Sequence, residues 1–267
     1  MKSNVSMINY RMRFVASLTP LYPYYRKSTC FLYYKVKMRK VVTMEDMILE
    51  IYRRLLFEYG HRNWWPAKTP FEVIIGAILT QNVSWKNVRT AINNLKSEGL
   101  LDFERLHQSE VDTFALLIRS SRYYNQKAKK IKRFIDFFYD EYEGNFQEMI
   151  QEETLALRSK LLNINGLGEE TVDSILLYAC NKPVFVVDAY TKRIFSRYGL
   201  ITQDAKYKEI QNFFMRKLPH EIGIYNDFHA QLVHLGNEIC KTHPNCNACP
   251  ILQINSKFYC HYGNKKP

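Results

Sequence analysis

Long apolar runs are missing from this 267-residue sequence, and their absence excludes the usual α-helical membrane proteins. No segment approaches the roughly 18–20 apolar residues that a membrane-spanning helix requires. The N-terminus has charged residues but no continuous apolar segment, which argues against a secretory signal. Low-complexity linkers are absent as well. Because 46% of the residues are apolar, the chain can bury a sizeable core, and we expect a globular protein without a membrane partner.

Acidic side chains are missing from residues 1–43, which contain nine lysines and arginines. This segment carries +9 of the net charge of +12, so residues 44–267 carry only +3. Such a charge permits a polyanionic partner without proving one. We interpret residues 1–43 as a basic extension: a disordered DNA-binding arm, a transit-like leader, or translated sequence upstream of a start at Met44. Basic residues also concentrate in 127–133, which either approaches a nucleic-acid backbone or forms a solvated helix face.

Helical periodicity dominates the rest of the sequence. Residues 44–59 place their apolar side chains on one helix face, and 71–80 is apolar nearly all round, as a central buried helix would be. Val184–Val187 is the best strand candidate, but four residues are too few to imply a sheet. We therefore predict an all-α fold. Further helices are expected near residues 84–98, 110–118, 125–142, 153–162, 169–180, 189–198, 204–217 and 225–240.

The segment Asn165-Gly166-Leu167-Gly168 lies between two of these helices and predicts a tight helical hairpin. Glycine adopts positive φ without a Cβ penalty, so both glycines let the backbone turn sharply. The freed N–H groups lie at a helix N-terminus, where they can hold an anion such as a DNA phosphate. About twenty residues later an apolar run ends at Asp188, which places one carboxylate at the edge of a hydrophobic wall. These features indicate an enzyme that acts on DNA.

Cysteine is sparse over most of the chain, where Cys30 and Cys180 stand alone, but four cysteines fall within the last 28 residues. This asymmetry argues against a disulfide framework and favours a metal or cluster site in a reducing compartment. Four thiolates in a short segment suit a [4Fe-4S] cluster or a zinc ion. The candidate ligands are Cys240, Cys246, Cys249 and Cys260.

The hairpin, Asp188 and the C-terminal cysteines together resemble the helix-hairpin-helix DNA glycosylases of the endonuclease III superfamily. The segment 71–82, Phe-Glu-Val-Ile-Ile-Gly-Ala-Ile-Leu-Thr-Gln-Asn, is similar to the central helix of that family and the loop after it. The resemblance covers about residues 60–260, with several separated motifs in the family's order. Within the superfamily the sequence is most similar to the bacterial 3-methyladenine glycosylases, through residues 64–66, 79–82, 124–129 and 178–188.

The resemblance implies two helical domains that flank a DNA-binding cleft, into which the damaged base is flipped. One domain would combine residues 44–70 with 184–239, and the other would comprise residues 71–183, including the hairpin. Residues 240–267 would form a C-terminal iron–sulfur cluster loop. The implied partner is double-stranded DNA with a damaged base, bound by a monomer in the cytoplasm, in association with the nucleoid.

By resemblance Asp188 is the catalytic aspartate, which stabilises the electron-deficient sugar as the glycosidic bond breaks and orients or deprotonates a water. The alternative is that Asp188 merely caps the helix beginning at Ala189. Glu170 occupies the position where relatives that nick the abasic strand carry a lysine, whose amine forms a Schiff base. A carboxylate cannot form that imine, so the sequence predicts hydrolysis without an efficient lyase step. Glu170 also complements the helix dipole, which is compatible with this interpretation.

The aromatic residues around the central helix resemble a pocket for an alkylated base. By resemblance Trp65, Pro66 and Trp85 sandwich the methylated base, whose positive charge favours stacking on aromatic faces. The alternative is that these tryptophans belong to the core, and Trp64 is the one that fits this interpretation most readily.

Four further residues are implied to contact DNA. Gln81 and Asn82 follow the central helix, where the family places a polar side chain in the gap left by the flipped nucleotide. Asn82 aligns best, although an Asn at a helix end is often only a C-cap. Gly166 and Gly168 would grip a phosphate through the backbone.

The resemblance favours a [4Fe-4S] cluster over zinc, but the cysteine spacing departs from the common family pattern. The first gap is one residue shorter and the last is several residues longer. The departure affects Cys260 most, and His243 or His261 are possible substitutes for it as a ligand.

The sequence therefore predicts a monofunctional DNA glycosylase that hydrolyses the bond to alkylated purines, with 3-methyladenine first. One alternative is an endonuclease III-like enzyme with lyase activity on oxidised pyrimidines. Another is a catalytically silent lesion-binding protein that keeps the hairpin and the cluster.

Overall fold

The structure is a computed structural model that describes residues 44–254 and 259–262. Every regular element in these ranges is a helix, so the all-α prediction is confirmed for them. The helices are α1 (Met44–Tyr59), α2 (Pro70–Leu79), α3 (Trp85–Ser97), α4 (Phe103–Gln108), α5 (Val111–Ala115), α6 (Tyr124–Tyr142), α7 (Phe146–Gln151), α8 (Thr154–Leu162), α9 (Glu169–Ser174), α10 (Ala189–Tyr198), α11 (Tyr207–Lys217) and α12 (Ile222–Glu238). The basic extension predicted for residues 1–43 lies outside the described residues.

Most helices lie where the periodicity predicts them, and α1 and α10 match to the residue. The pattern does not predict α4 and α7, because six residues give fewer than two turns of periodicity. The helix predicted at 169–180 divides into α9 and a π-helical turn, Ile175–Ala179. Such turns often occur at functional sites.

The strand predicted at Val184–Val187 is wrong. These residues are buried and irregular, and no strand pairs with them in the part of the chain that the structure describes. Side chains bind their backbone groups instead: the N–H of Val187 donates to Tyr207 Oη at 3.3 Å, and Gln211 Nε2 donates to the carbonyl of Phe185 at 2.8 Å. The apolar run reflects burial, which a short pattern cannot distinguish from a strand.

Two hydrophobic clusters organise the described residues. The first surrounds α2 and contains side chains of α3, α6, α8 and α9. The second contains side chains of α1, α10, α11 and α12. The π-helical turn contributes to both, because Leu177 belongs to the second cluster and its neighbours to the first. The division of the chain into the domains 44–70 with 184–239 and 71–183 stays a prediction.

The central helix α2 is buried along its whole length from Phe71 to Leu79. Its N-terminus is well capped: Thr69 Oγ1 accepts from the N–H of Glu72 at 3.1 Å, and Pro70 supplies a fixed φ in the first turn. Nearly all of its side chains are apolar, which explains why this helix lies at the centre of the first cluster. The end of α2 therefore has a fixed position beside the hairpin.

The basic segment 127–133 braces the fold, so it is not simply a solvated face. Lys127 is buried, and its Nζ donates to the carbonyl of Leu79 at 2.7 Å, at the C-terminus of α2. Burial, assisted by the charge of Lys130, lowers the pKa of Lys127 to about 8. Arg133 donates to the carbonyl of Asn165 in the hairpin turn at 3.1 Å. The segment thus joins α2 to the hairpin.

The hairpin forms between α8 and α9 as predicted, but only one of its glycines needs a left-handed backbone. Gly166 has a φ of +98°, whereas Gly168 has a φ of −91° and is the N-cap residue of α9. The sequence-based expectation of positive φ at Gly168 is therefore wrong. A Cβ on Gly166 would approach the side chain of Lys130, while a Cβ on Gly168 would meet no atom within 4 Å.

A buried ion pair holds the two hairpin helices together. Asp173, which is fully buried on α9, accepts from Nε of Arg158 on α8 at 2.7 Å and from its Nη2 at 3.0 Å. Gln211 Nε2 from α11 donates to the same carboxylate at 2.7 Å. Because a buried carboxylate needs such partners, the network fixes α9 against the second cluster as well.

The two hairpin glycines provide a matched pair of variants. We expect Gly166→Ala to lower the free energy of unfolding by about 1–2 kcal/mol, because alanine is strained at positive φ. Gly168→Ala should stay within about 0.5 kcal/mol of the wild type, since its φ is negative and its surroundings are open. Urea titrations monitored by circular dichroism measure both values. Equal destabilisation by the two variants would contradict this account of the turn.

Candidate active site

A cleft of about 1220 Å³ opens beside the hairpin. Its walls come from the end of α2, the loop 80–84, the start of α3, the first turn of α9 and one face of α12. Asp188, at the start of α10, lies among the lining residues. Helices distant in sequence thus bring one carboxylate and an aromatic cluster to a single cavity.

Asp188 is both the N-cap of α10 and part of the cleft wall. Its Oδ1 accepts from the N–H of Thr191 at 2.6 Å, and the residue is only 8% exposed. This capping hydrogen bond holds the carboxylate in one orientation. The capping alternative and the placement at the cleft therefore hold together.

His229, on α12, faces the second oxygen of this carboxylate. The distance from His229 Nε2 to Asp188 Oδ2 is 3.6 Å, an ion-pair distance that is too long for a hydrogen bond. On the other side of the ring, Tyr178 Oη lies 2.6 Å from His229 Nδ1. Tyr178 belongs to the π-helical turn, so three separate elements form the chain from Tyr178 through His229 to Asp188.

The surroundings keep Asp188 ionised. Burial alone would raise the pKa of this carboxyl group, but the facing imidazole of His229 and the N–H of Thr191 outweigh burial and hold the pKa below its usual range. A buried carboxylate that stays charged in a cleft is well suited to stabilise positive charge on a bound molecule.

Glu170 lies in the same cleft with the opposite tendency. Glu170 is exposed on the open cleft, yet the protein around its carboxylate and the negative charge of Asp188 raise its pKa to about 7, while His229 partly opposes both effects. Near neutral pH the cleft therefore holds one ionised acid and one acid that is partly protonated. Neighbouring acids with separated pKa values are typical of active sites.

The three tryptophans of the chain form one cluster at the cleft. The ring centroids of Trp64 and Trp85 are 4.8 Å apart, and those of Trp65 and Trp85 are 5.4 Å apart. The planes of Trp65 and Trp85 meet at 87°, so no parallel slot exists between them in this structure. Pro66 is exposed and is not among the lining residues, whereas Trp64 is. The structure thus brings Trp65 and Trp85 together but not Pro66.

The two polar residues after α2 have different environments. Gln81 Nε2 donates to Thr171 Oγ1 at 3.0 Å, and Gln81 Oε1 accepts from Lys130, so its amide joins the loop to the hairpin. Asn82 is exposed at a φ of +54° and lines the cleft. Asn82 is therefore the more accessible of the two, and Gln81 positions the hairpin. Gly168 lines the cleft with them.

The four C-terminal cysteines are free thiols in one loop, each half-buried. Arg197 on α10 donates to Cys240 Sγ at 3.3 Å, and the backbone N–H of Cys260 donates to the carbonyl of Leu252 at 2.8 Å. Burial and the neighbouring cysteines raise the pKa of Cys246, and burial raises that of Cys249 to about 12.

Within the described ranges, no three His, Cys, Asp or Glu side chains close around a point where they could hold one metal ion. A zinc site needs four ligands at about 2.0–2.3 Å from a single ion. The thiolates of a [4Fe-4S] cluster each bind a different iron atom and therefore stand farther apart. Four thiols are a donor set that suits either a [4Fe-4S] cluster or a zinc ion, so the choice between them stays a prediction.

Sequence reasoning missed His229 and Tyr178. No motif marks His229, which lies within the long helix α12, and the residue comes next to Asp188 only because α12 packs on α10. The available signal is three alternating polar residues, Asp227, His229 and Gln231, among the buried residues of this helix. Buried polar side chains on a core helix indicate a network or a site.

None of the described helices has the length and the apolar character that a bilayer crossing needs. This finding agrees with the absence of long apolar runs in the sequence.

Comparison with known proteins identifies similar chains. Residues 75–220 match the family described as HhH-GPD superfamily base excision DNA repair protein. A protein of Methanocaldococcus jannaschii, whose name assigns it provisionally to the DNA repair glycosylases, is 50% identical over 211 residues, which are 78% of this chain and 96% of that protein. Endonuclease III of Sulfolobus acidocaldarius is 29% identical over 198 residues, which are 73% of this chain and 83% of that enzyme.

A solved structure is similar as well. It is the crystal structure of the H. pylori 3-methyladenine DNA glycosylase bound to 1,N6-ethenoadenine. The two chains are 28% identical with a TM-score of 0.65, and the match covers 73% of this chain and 97% of that one.

The raised pKa of Glu170 predicts a pH-dependent effect of Glu170→Gln on stability. The folded state retains the proton more strongly than the unfolded state, so between pH 4.5 and about 7 the wild type loses stability as the pH rises. Glutamine resembles the protonated acid at every pH. We expect the Tm of Glu170→Gln to equal that of the wild type near pH 4.5 and to exceed it increasingly up to about pH 7, with a constant difference above.

Glu98→Gln, at an exposed glutamate outside the cleft, is the control, and its Tm difference should not change in this way. Thermal unfolding by circular dichroism at several pH values measures both. A Tm difference for Glu170→Gln that is the same at pH 4.5 and pH 8 would show that Glu170 has no raised pKa.

Proposed function

This chain belongs to the HhH-GPD superfamily of base excision DNA repair proteins and is a DNA glycosylase of that type. From this premise we propose that it removes alkylated purines from DNA by hydrolysis, with 3-methyladenine as the main substrate. The proposed reaction breaks the glycosidic bond between the base and deoxyribose in double-stranded DNA. The sugar–phosphate backbone stays intact, so the enzyme would be monofunctional.

One observation carries the proposal: an ionised, buried Asp188 lies in the same cleft as all three tryptophans. As the glycosidic bond stretches, the sugar gains the positive charge of an oxocarbenium ion. A fixed carboxylate in a site with little water stabilises that charge far more than it would in solution. Asp188 would also orient the attacking water. The cap on α10 keeps the carboxylate in place during the reaction.

The charge of the cleft supports a cationic base as substrate. Glu169, Glu170 and Asp188 all line it, and Arg122 is the one Lys or Arg among the described lining residues. Because acidic side chains outnumber the one arginine, such a lining attracts a purine that alkylation has made positive. A cationic base also departs readily, so it needs less catalytic help than a neutral base.

The tryptophan cluster supports the same substrate class. Indole faces attract an electron-poor ring by stacking and by cation–π interaction. Because Trp65 and Trp85 stand edge to face, the base would stack on one exposed face of the cluster or move one ring on entry. The related H. pylori enzyme is named a 3-methyladenine DNA glycosylase and holds a modified adenine in its crystal structure, which is consistent with this proposal.

The cleft chemistry disfavours a lyase step. A lyase of this kind needs an amine near the sugar to form an imine. Glu170 lies where the lyase lysine is expected, and no lysine lines the cleft in the described part of the chain. Lys192, near Asp188 in sequence, instead donates to the carbonyl of Ala205 at 3.0 Å.

DNA would bind with the damaged nucleotide flipped out of the duplex. We assign Asn82 to the gap that the nucleotide leaves, because it is exposed at the mouth of the cleft. The hairpin turn with Gly166 and Gly168 would contact a phosphate of the same strand. Lys129, exposed on α6 beside the residues that brace the hairpin, could add positive charge there.

The second candidate function is an endonuclease III-like glycosylase with lyase activity on oxidised pyrimidines. The identity with the Sulfolobus acidocaldarius enzyme favours it, and the carboxylate at position 170 opposes it. A non-catalytic lesion-binding protein is the third candidate. The lyase would form an imine and cut the DNA strand, whereas the binder would release no base.

The C-terminal loop fits a [4Fe-4S] cluster held by Cys240, Cys246, Cys249 and Cys260. When bound, the cluster would supply a cross-link that fixes the tail to α10 and α12, and no step of base release requires it. Arg197 would stay hydrogen-bonded to Cys240, which stabilises a thiolate ligand. Two hydrogen bonds from Arg54 on α1, to the carbonyls of Gln253 and Ile254 at 2.7 Å, fix the same loop without any metal.

Incubation with alkylated duplex DNA tests the proposed function. We expect purified protein to release free 3-methyladenine over many turnovers, with the DNA strand left intact and no covalent adduct after borohydride reduction. Chromatography of the free bases and denaturing gels of the strand give the two measurements. Borohydride-trapped protein would support the lyase alternative, and the absence of any released base would support a silent binder.

Asp188→Asn separates catalysis from capping in the same assay. Asparagine is also a good N-cap, so the variant should fold, but it carries no charge and should release base at least about 100-fold more slowly. Asp140→Asn, at an exposed aspartate on α6 that does not line the cleft, is the matched control. Full activity of Asp188→Asn would remove the residue from the mechanism.

Metal analysis tests the cluster. We expect about four iron atoms and four sulfides per chain after anaerobic purification, and less iron in Cys246→Ser. Cys180→Ala, at a buried cysteine outside the loop, should keep the full iron content and is the control. Stoichiometric zinc in place of iron would select the alternative site.

A further inference from the structure

His229 is buried beside Asp188 and Tyr178 is half-buried behind it, and the sequence motifs assign neither residue a role. His229 is 6% exposed and lines the cleft, whereas Tyr178 lies behind it. The ring of Tyr178 also contacts Trp65, with centroids 5.4 Å apart. This pair therefore touches both the carboxylate and the aromatic cluster that the proposed function uses.

We propose that His229, held by Tyr178, is a positioning residue that keeps an N–H directed at Asp188 and so fixes the carboxylate for catalysis. The proposal rests on the proposed function, because it concerns how Asp188 acts on a bound nucleotide. The argument has three steps: the tautomer of His229, the spacing to Asp188, and the other charges nearby.

The hydrogen bonds of Tyr178 and the negative charge of Asp188 together fix the tautomer of His229. When the imidazole is neutral, the Tyr178 hydroxyl donates to Nδ1 at 2.6 Å, so the ring proton resides on Nε2, which faces Asp188. When the imidazole is protonated, Nδ1–H donates to the Tyr178 oxygen, and the hydroxyl donates to the carbonyl of Asn226 at 3.3 Å. In both states an Nε2–H faces the carboxylate. The other neutral tautomer would turn a lone pair towards Asp188, which is unfavourable.

The spacing leaves Asp188 free to act. Its Oδ1 is bound to the N–H of Thr191 at 2.6 Å, but Oδ2 is 3.6 Å from Nε2 of His229. At this distance the imidazole stabilises the carboxylate electrostatically without making a full hydrogen bond. His229 Nε2 has no other hydrogen-bond partner in the described residues. Oδ2 can therefore accept a hydrogen bond from a water or face the sugar, while His229 stabilises the negative charge of the carboxylate.

The other acidic side chains near His229, Glu170 and Asp227, compete only weakly with Asp188 for its N–H. Glu170 on α9 acts on the imidazole across the cleft, and its own pKa of about 7 means that it is partly neutral. Asp227 lies two residues earlier on α12, but it is bound to the hydroxyl of Tyr52 at 3.2 Å and to the N–H of Arg62 at 2.9 Å. Asp188 is therefore the ionised carboxylate that His229 faces most closely.

Loss of His229 should change the pH dependence of base release. Without the facing N–H, burial dominates and raises the pKa of Asp188, so the carboxylate becomes protonated at a higher pH. Single-turnover release of 3-methyladenine from duplex DNA between pH 5 and 9 measures this. The pKa of Asp188 lies below its usual range, so we expect no acidic limb for the wild type between pH 5 and 9. For His229→Leu burial should bring the limb into this range, with a rate about tenfold lower at pH 5 than at pH 9.

Matched variants separate positioning from packing. His229→Gln retains a side-chain N–H, so its acidic limb should lie nearer to that of the wild type than the limb of His229→Leu does. Tyr178→Phe frees the tautomer and should move the limb in the same direction by a smaller amount. His234→Gln, on the same helix but outside the cleft lining, should leave the limb unmoved. A uniform loss of rate at every pH in His229→Leu would overturn the proposal.

Two further measurements keep the test decisive. If His229→Leu fails to fold, as judged by circular dichroism, Tyr178→Phe decides, and an unmoved acidic limb in that variant overturns the proposal. Nitrogen-15 NMR of the histidines reads the tautomer directly, without any enzyme activity. A proton on Nε2 in the wild type supports the proposal, and a neutral ring with its proton on Nδ1 alone overturns it. If the wild type releases no methylated base, the proposed function fails on its own while the NMR result still stands.

Discussion

The structure depends on the burial of one negative charge at the mouth of a hydrophobic core. Asp188 is 8% exposed, and an unpaired carboxylate at such a place would either take up a proton or destabilise the fold. Three elements prevent this outcome. The first turn of α10 donates an N–H to one oxygen, α12 places His229 opposite the other, and the π-helical turn supplies Tyr178 behind His229. The packing of α10 on α12 is therefore a requirement of the site as well as of the core.

A second buried carboxylate connects the site to the hairpin. Asp173 receives hydrogen bonds from Arg158 on α8 and from Gln211 on α11, so the two hairpin helices and the second hydrophobic cluster are held in one arrangement. Gln81 adds a contact from the loop after α2 to the hairpin residue Thr171. Because α9 carries both Asp173 and Glu170, any movement of the hairpin on DNA would shift the lining of the cleft. Under the proposed function, this geometry would connect DNA binding to catalysis.

The cleft combines two tendencies that act together on a cationic base. The tryptophans supply polarisable faces, and Asp188 with Glu170 supplies negative charge. The pKa values of the two acids are displaced in opposite directions, so near neutral pH one stays ionised while the other is partly protonated. A lysine in place of Glu170 would place a positive charge beside the same base and would reverse this balance. The carboxylate at position 170 thus suits both the proposed substrate class and the proposed hydrolysis without an imine step.

The sequence by itself determined the helical class, the positions of α1, α2 and α10, and the hairpin, because these depend on local periodicity and on turn chemistry. The candidate residues Asp188, Glu170, Trp65 and Trp85 came from the resemblance to the endonuclease III superfamily, and their roles stay predictions. Only the tertiary structure decided that Val184–Val187 is not a strand and that Gly168 needs no positive φ. It also decided that Lys127 is buried, that Pro66 lies away from the cleft lining, and that His229 faces Asp188. Each of these outcomes results from contacts between segments far apart in sequence, such as α10 with α12, and no local pattern encodes which side chain such a contact brings to a carboxylate.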